Sequence, residues 1–135
     1  MTIRVGINGF GRIGRLYLRA ALGHPEIEVV AINDLASPET NAHLLAYDST
    51  HGKLNRPVSI SDGAMNVGDQ RVAVLAERDP GKLPWRDLGV DVVIESTGRF
   101  TSRDAAAVHL VAGASRVIIS APSGDADASF VVGVN

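Results

Sequence analysis

The 135-residue sequence contains no cysteine. That absence removes disulfides, thiolate metal sites and a thiol nucleophile from the chemistry available to these residues. Excess basic charge is also missing: 13 Lys and Arg stand against 15 Asp and Glu, for a net charge of −2. A nucleic-acid-binding surface usually announces itself by a basic excess, so no nucleic-acid partner is expected. No apolar run approaches the ~18 residues that span a bilayer. The opening "MTIRVGING" lacks the basic start, apolar middle and cleavage site of a secretory signal. A cytoplasmic location away from membranes is therefore the expectation. His24, His43, His51 and His109 show no metal-ligand spacing, so no metal is expected. His109 falls inside a predicted helix and is expected to be packed or solvated, not catalytic.

What is present suits a soluble globular fold, with 45% hydrophobic and 21% charged residues. The length is that of one domain, able to bury roughly two-thirds of its unfolded surface. Residues 3–8 form a predicted strand, and helical spacing runs from Arg12 to Leu22. "IEVVAIND" (27–34) is a second buried strand. Ser37-Pro38-Glu39 opens a helix, with Ser as N-cap and Pro at the first helical position. Residues 56–80 read as short antiparallel strands with turns at Asp62-Gly63 and Gly68-Asp69. "VDVVIESTG" (90–98) and "SRVIISAP" (115–122) are further strands, and "SFVVGV" (129–134) a fifth. Between them Thr101 and Asp104 match a capping box, predicting a helix that ends near Gly113. The long strands are continuous β-branched runs, as a sheet covered on both faces requires. Alternation of strand and helix then points to a doubly wound, mostly parallel α/β sheet of Rossmann type with a short antiparallel excursion.

Gly9-Phe10-Gly11-Arg12-Ile13-Gly14 fits G-x-G-x-x-G. Three glycines recur by chance in turns, but here a strand precedes them, a helix follows, and an acid closes the next strand. Asp34 lies about 20 residues beyond Gly14, the offset of a ribose-binding carboxylate. In that reading Gly9 permits the tight turn and Gly11 admits a pyrophosphate without a Cβ in the way. Gly14 brings helix against strand, and the amides of Arg12 and Ile13 face the phosphates from the helix N-terminus. The competing reading is a strand-to-helix corner that binds nothing, with Asp34 capping the turn that follows it. Asp34 would repel a 2′-phosphate, and Leu35 and Ala36 follow it with no Arg nearby, which favours NAD over NADP. Loops 95–100 and 119–124 stand where strands stop and are expected to line the cleft, although either is equally an ordinary turn.

In order along the chain, "VGINGFGRIGR", "AIND", "YDSTHG", "ERDP", "ESTGRF", "RVIISAPS" and "VVGVN" resemble the NAD-binding domain of glyceraldehyde-3-phosphate dehydrogenases. The resemblance covers residues 1–135 as one domain. It implies NAD as cofactor, with Asn8, Gly9, Gly11, Arg12 and Ile13 on the pyrophosphate and Asp34 on the adenosine ribose. Arg78 corresponds to a contact near the adenine. Thr97, Gly98 and Phe100, with Ser96 beside them, correspond to the adenine and ribose pocket, and Ser120 to a residue near the nicotinamide.

Erythrose-4-phosphate dehydrogenases share a similar first domain, and Asp34 with "STGRF" looks more like the glyceraldehyde-3-phosphate enzymes. In the family a nucleophilic cysteine, a catalytic histidine and anion-binding residues follow the matched region. The sequence stops at Asn135 before any of them, so no catalytic residue is assigned and the chain alone is expected to bind NAD without turning over. A non-catalytic module that binds NAD or another adenine nucleotide is the alternative. The resemblance implies a homotetramer for a complete enzyme. An unpaired sheet edge makes self-association of this chain the expectation.

Overall fold

The computed structural model describes residues 2–130. Strand β1 (Ile3–Asn8) leads through the glycine turn into helix α1 (Arg12–Ala21) and back to strand β2 (Ile27–Asn33), parallel to β1. Four consecutive residues of β1, Val5 to Asn8 without the exposed start, are buried, as are five of β2. Such runs form where helices or loops cover both sheet faces. Helix α1 buries Gly14, Leu18 and Ala21, one stripe at three- and four-residue spacing. Helix α2 (Pro38–Ala46) starts as expected, with the Ser37 hydroxyl accepting a bond from the Thr40 amide at 3.1 Å.

A small two-stranded ribbon, β3 (Tyr47–Asp48) and β4 (Gly52–Lys53), precedes the antiparallel excursion. Strands β5 (Val58–Ser61), β6 (Ala64–Val67) and β7 (Gln70–Leu75) pair antiparallel in sequence. The excursion is not separate from the main sheet. Strand β7 also pairs in parallel with β2, Ala31 opposite Ala73, and so carries the flank onto it. A 3-10 turn at Pro80–Lys82 leads on to β8 (Val92–Glu95), and β9 (Arg116–Ile119) completes one seven-stranded sheet in the order β5-β6-β7-β2-β1-β8-β9. Both β8 and β9 are shorter than the predicted 90–98 and 115–122. Ser129 and Phe130 lie outside any strand, and the remainder of the predicted strand at 129–134 falls outside the described residues.

The helix expected from Thr101 to Gly113 is two short pieces, α3 (Arg103–Ala106) and α4 (Val108–Val111). Its N-cap is Ser102, whose hydroxyl takes the Ala105 amide at 3.1 Å, one residue later than the sequence pattern indicated. The capping side chain is the one that reaches a free amide in the first turn, and here that is Ser102.

One apolar cluster under α1 and α2 contains Ile7, Leu18, Val29, Leu45 and Met65. A second, containing Val30, Leu83, Trp85, Val90 and Val93, covers the other face. From β1 the chain moves outward on one side to β2 and on the other to β8. That reversal opens a crevice at the carboxyl ends of these strands. Among the described residues no helix is long and apolar enough to cross a membrane.

Candidate functional site

The crevice is built first from backbone. Gly9 holds φ at +93°, and a Cβ there would lie 2.7 Å from the Thr97 amide nitrogen. Gly14 sits so close beneath the turn that a Cβ would lie 2.3 Å from the Gly9 carbonyl oxygen. The Ser96 hydroxyl donates to that same carbonyl at 2.6 Å. Turn, helix and the end of β8 are therefore locked together by contacts that leave no room for side chains.

Gly11 is different. Its φ of −79° suits any residue, and nothing lies within 4 Å of where its Cβ would be. The open space lies at the start of α1, where no side chain caps the first amides and no acid stands in the first turn. Those amides and the partial positive charge of the helix end are thus available to an anion.

Asp34 lies opposite this opening, one residue beyond the end of β2. Its Oδ1 accepts from the Phe10 amide and its Oδ2 from the Ala36 amide, both at 3.0 Å. The turn-capping alternative is thus realised in part, without using up the carboxylate. Each oxygen has one lone pair engaged and one left for a hydroxyl.

An open cleft of about 320 Å³ joins these parts, and Asn8, Gly9, Gly11, Asp34, Arg78, Thr97 and Phe100 all line it. Arg12 and Ile13 are exposed at the first turn of α1, beside the cleft and not among its lining residues. Gly98 lies in the loop between Thr97 and Phe100 at a φ of +76°. Ser96 turns its hydroxyl to the Gly9 carbonyl, which gives it a bracing position behind the turn. Ser120 follows β9, with β1 and β8 between it and β2, its amide donating to the Glu95 carbonyl at 3.0 Å, also outside the cleft lining.

Four lining residues carried no signal of their own in the sequence: Asn33, Leu35, Glu77 and Arg99. Asn33, Leu35 and Glu77 each adjoin a residue that did, and Arg99 falls within loop 95–100, which was expected to line the cleft. Arg78 and Arg99 correct the expectation that no arginine stands near Asp34, because strand ends far apart in sequence bring both into the same cleft.

The floor is a buried polar chain. Asn33 donates to Asn8 Oδ1 at 2.8 Å and exchanges bonds with the Glu77 backbone, at 2.9 Å to its carbonyl and 2.8 Å from its amide. Asn8 in turn donates to Glu95 at 2.7 Å. Burial alone would raise the Glu95 carboxyl. Hydrogen bonds from His109, Thr97 and Asn8 outweigh it and hold the group below its ordinary value of 4.5.

Comparison with known proteins decides the family. Residues 3–103 match the model of the NAD binding domain of glyceraldehyde 3-phosphate dehydrogenase. The chain belongs to this family.

Among its relatives are the glyceraldehyde-3-phosphate dehydrogenase of Geobacillus stearothermophilus, 57% identical over the whole chain, and enzyme 1 of Bacillus subtilis, 56% identical over the same span. The glyceraldehyde-3-phosphate dehydrogenase of Yarrowia lipolytica is 54% identical. The chain spans about 40% of the length of each of these relatives. As a glyceraldehyde-3-phosphate dehydrogenase NAD-binding domain it has NAD as its cofactor. The residues present fit that group: the space over Gly11 is one a Cβ would fill, the helix start beside it bears no competing acid, and Asp34 keeps acceptors free.

Proposed function

We propose that residues 1–135 form one domain that binds NAD in the cleft between the α1 N-terminus and Asp34, and that the domain serves a phosphorylating glyceraldehyde-3-phosphate dehydrogenase. The observation that carries this reading is a single cleft shared by an uncapped helix start, an unobstructed Gly11 and a carboxylate with spare acceptors. When bound, NAD supplies the hydride acceptor for oxidation of an aldehyde by the whole protein.

The residues of this chain bind and orient. The amides of Arg12 and Ile13 and the backbone of Asn8, Gly9 and Gly11 hold the pyrophosphate at the helix end. Asp34 accepts from the ribose hydroxyls, and its charge disfavours a 2′-phosphate despite the two arginines nearby. Arg78, Thr97, Gly98 and Phe100 enclose the adenosine, Ser96 braces the turn, and Ser120 lies toward the nicotinamide. No catalytic role falls to any of them.

Calorimetric titration with NAD tests the reading. Gly11→Ala introduces no backbone strain, so it is expected to leave the melting temperature nearly unchanged. Its methyl should raise the NAD dissociation constant about tenfold or more, the equivalent of ~1.4 kcal/mol. Equal affinity for both proteins would remove the pyrophosphate from this site. The finer reading of partners is self-association of the chain along β9, which has one neighbouring strand among the described residues and an Ile118 that is 55% exposed. Sedimentation should then give species heavier than 14.2 kDa, and a clean monomer at high concentration would refute it.

A further inference from the structure

Behind the cleft stands a group that the binding reading leaves without a task. Glu95 ends β8 and is 1% exposed, and among the described residues no lysine or arginine pairs with it. Four donors meet its two oxygens. His109 Nε2 and Asn8 Nδ2 approach Oε1, both at 2.7 Å. The Thr97 amide at 3.0 Å and the Thr97 hydroxyl at 2.6 Å share Oε2.

Behind His109, in turn, the Trp85 indole donates to Nδ1 at 3.0 Å. An indole N–H only donates, so Nδ1 accepts, and this assigns the ring proton to Nε2, facing the carboxylate. The indole itself has no freedom to move toward β1, because a Cβ on Gly6 would already lie 2.6 Å from its ring. Trp85 and His109 are both fully buried.

We propose that Glu95 is a positioning residue for the nucleotide cleft, aimed by Trp85 through His109 and fixing two of the cleft's surfaces with one carboxylate. The proposal rests on the reading of this cleft as the NAD site. One oxygen holds Thr97 on the wall. The other holds Asn8 on the floor, and through Asn33 the constraint reaches the Glu77 backbone on the far side. The chemistry calls for a carboxylate and not an amide of the same shape. A glutamine would turn one acceptor into a donor, aimed either at the His109 and Asn8 N–H groups or at the Thr97 amide. In the first orientation two buried donors lose their partner, and in the second the half-buried Thr97 amide does.

The test is NAD titration of the full chain and of Glu95→Gln, His109→Leu and His109→Gln, each checked for intact packing by near-ultraviolet circular dichroism of Trp85, the single tryptophan. Glu95→Gln and His109→Leu are each expected to raise the NAD dissociation constant about tenfold. His109→Gln keeps an N–H available to Glu95 and is expected to recover most of that loss. A role confined to stability would change melting temperatures without sorting affinities by whether residue 109 donates. A folded Glu95→Gln or a folded His109→Leu that binds NAD within twofold of the unmutated chain overturns the proposal, and the His109 pair decides it if Glu95→Gln does not fold. Failure of the unmutated chain to bind NAD overturns the reading of the cleft itself, and the role of Glu95 falls with it.

Discussion

Of the turns that use glycine at positive φ, two do so for different reasons. In the β5–β6 hairpin, Asp62 and Gly63 adopt φ of 51° and 73°, the paired left-handed conformation that matches the twist of two-residue hairpins. Nothing lies within 4 Å of a Cβ added at Gly63. Conformation is the whole requirement there, and exposed polar groups such as Asn66 and Ser61, 2.8 Å apart, merely decorate it. At the β1–α1 turn Gly9 meets the same conformational demand, but a Cβ would also collide with the backbone of Thr97, a residue remote in sequence. The first turn is specified by its own residues. The second is specified by what packs on it, and the cleft lies over the second.

Substitution should expose that difference. Gly9→Ala combines a left-handed backbone with a backbone collision and is expected to cost about 3 kcal/mol or more, read as a large drop in melting temperature or failure to fold. A Gly9→Ala protein as stable as the unmutated chain would show that the turn relaxes freely. Acid should act next, and on the same side of the molecule. Because the folded-state value of Glu95 is lowered, its contribution to stability is fully present above 4.5 and is lost as pH falls below it. Melting temperatures measured from pH 6 down to pH 3 should therefore fall more steeply for the unmutated chain than for Glu95→Gln, and parallel curves would refute this. The smallest effect is expected at the hairpin. Gly63→Ala faces conformational strain alone, about 1–2 kcal/mol, with NAD affinity unchanged. A loss as large as that at Gly9 would abolish the distinction between the two turns.

The same distinction governs what could be read from the sequence. The hairpin turns, the Ser37 cap and the β1–α1–β2 unit were legible because neighbouring residues determine them. Asp34 was legible through its offset from Gly14. The attachment of β7 to β2 was not, since strand pairing between distant segments leaves no local mark. Nor was the division of the predicted 101–113 helix, where Ala107 ends one piece and caps the next. Trp85 and His109 appear in the sequence as an isolated aromatic and an isolated histidine 24 residues apart. Only the sheet brings them to Glu95. Arg99 was legible only as part of loop 95–100 at a strand end, and its sharing a cleft with Asp34 follows from β8 lying beside β1 and β1 beside β2.

The central strand has a consequence for the order in which the fold is assembled. Asn8 pairs with Asn33 on one side and with Glu95 on the other, so its two neighbours arrive far apart in synthesis. A growing chain that has emerged through β7 holds β1 and β2 with their helix and the hairpin flank, yet its glycine turn still lacks Ser96 and Thr97. Closing so long a loop carries an entropic cost that grows only slowly with length, but the contact must wait for the residues to exist. The nucleotide pocket is thus completed at the carboxyl side of a unit whose amino-terminal half contains its most recognisable motif, and a nascent chain displays the fingerprint of a binding site before it owns one.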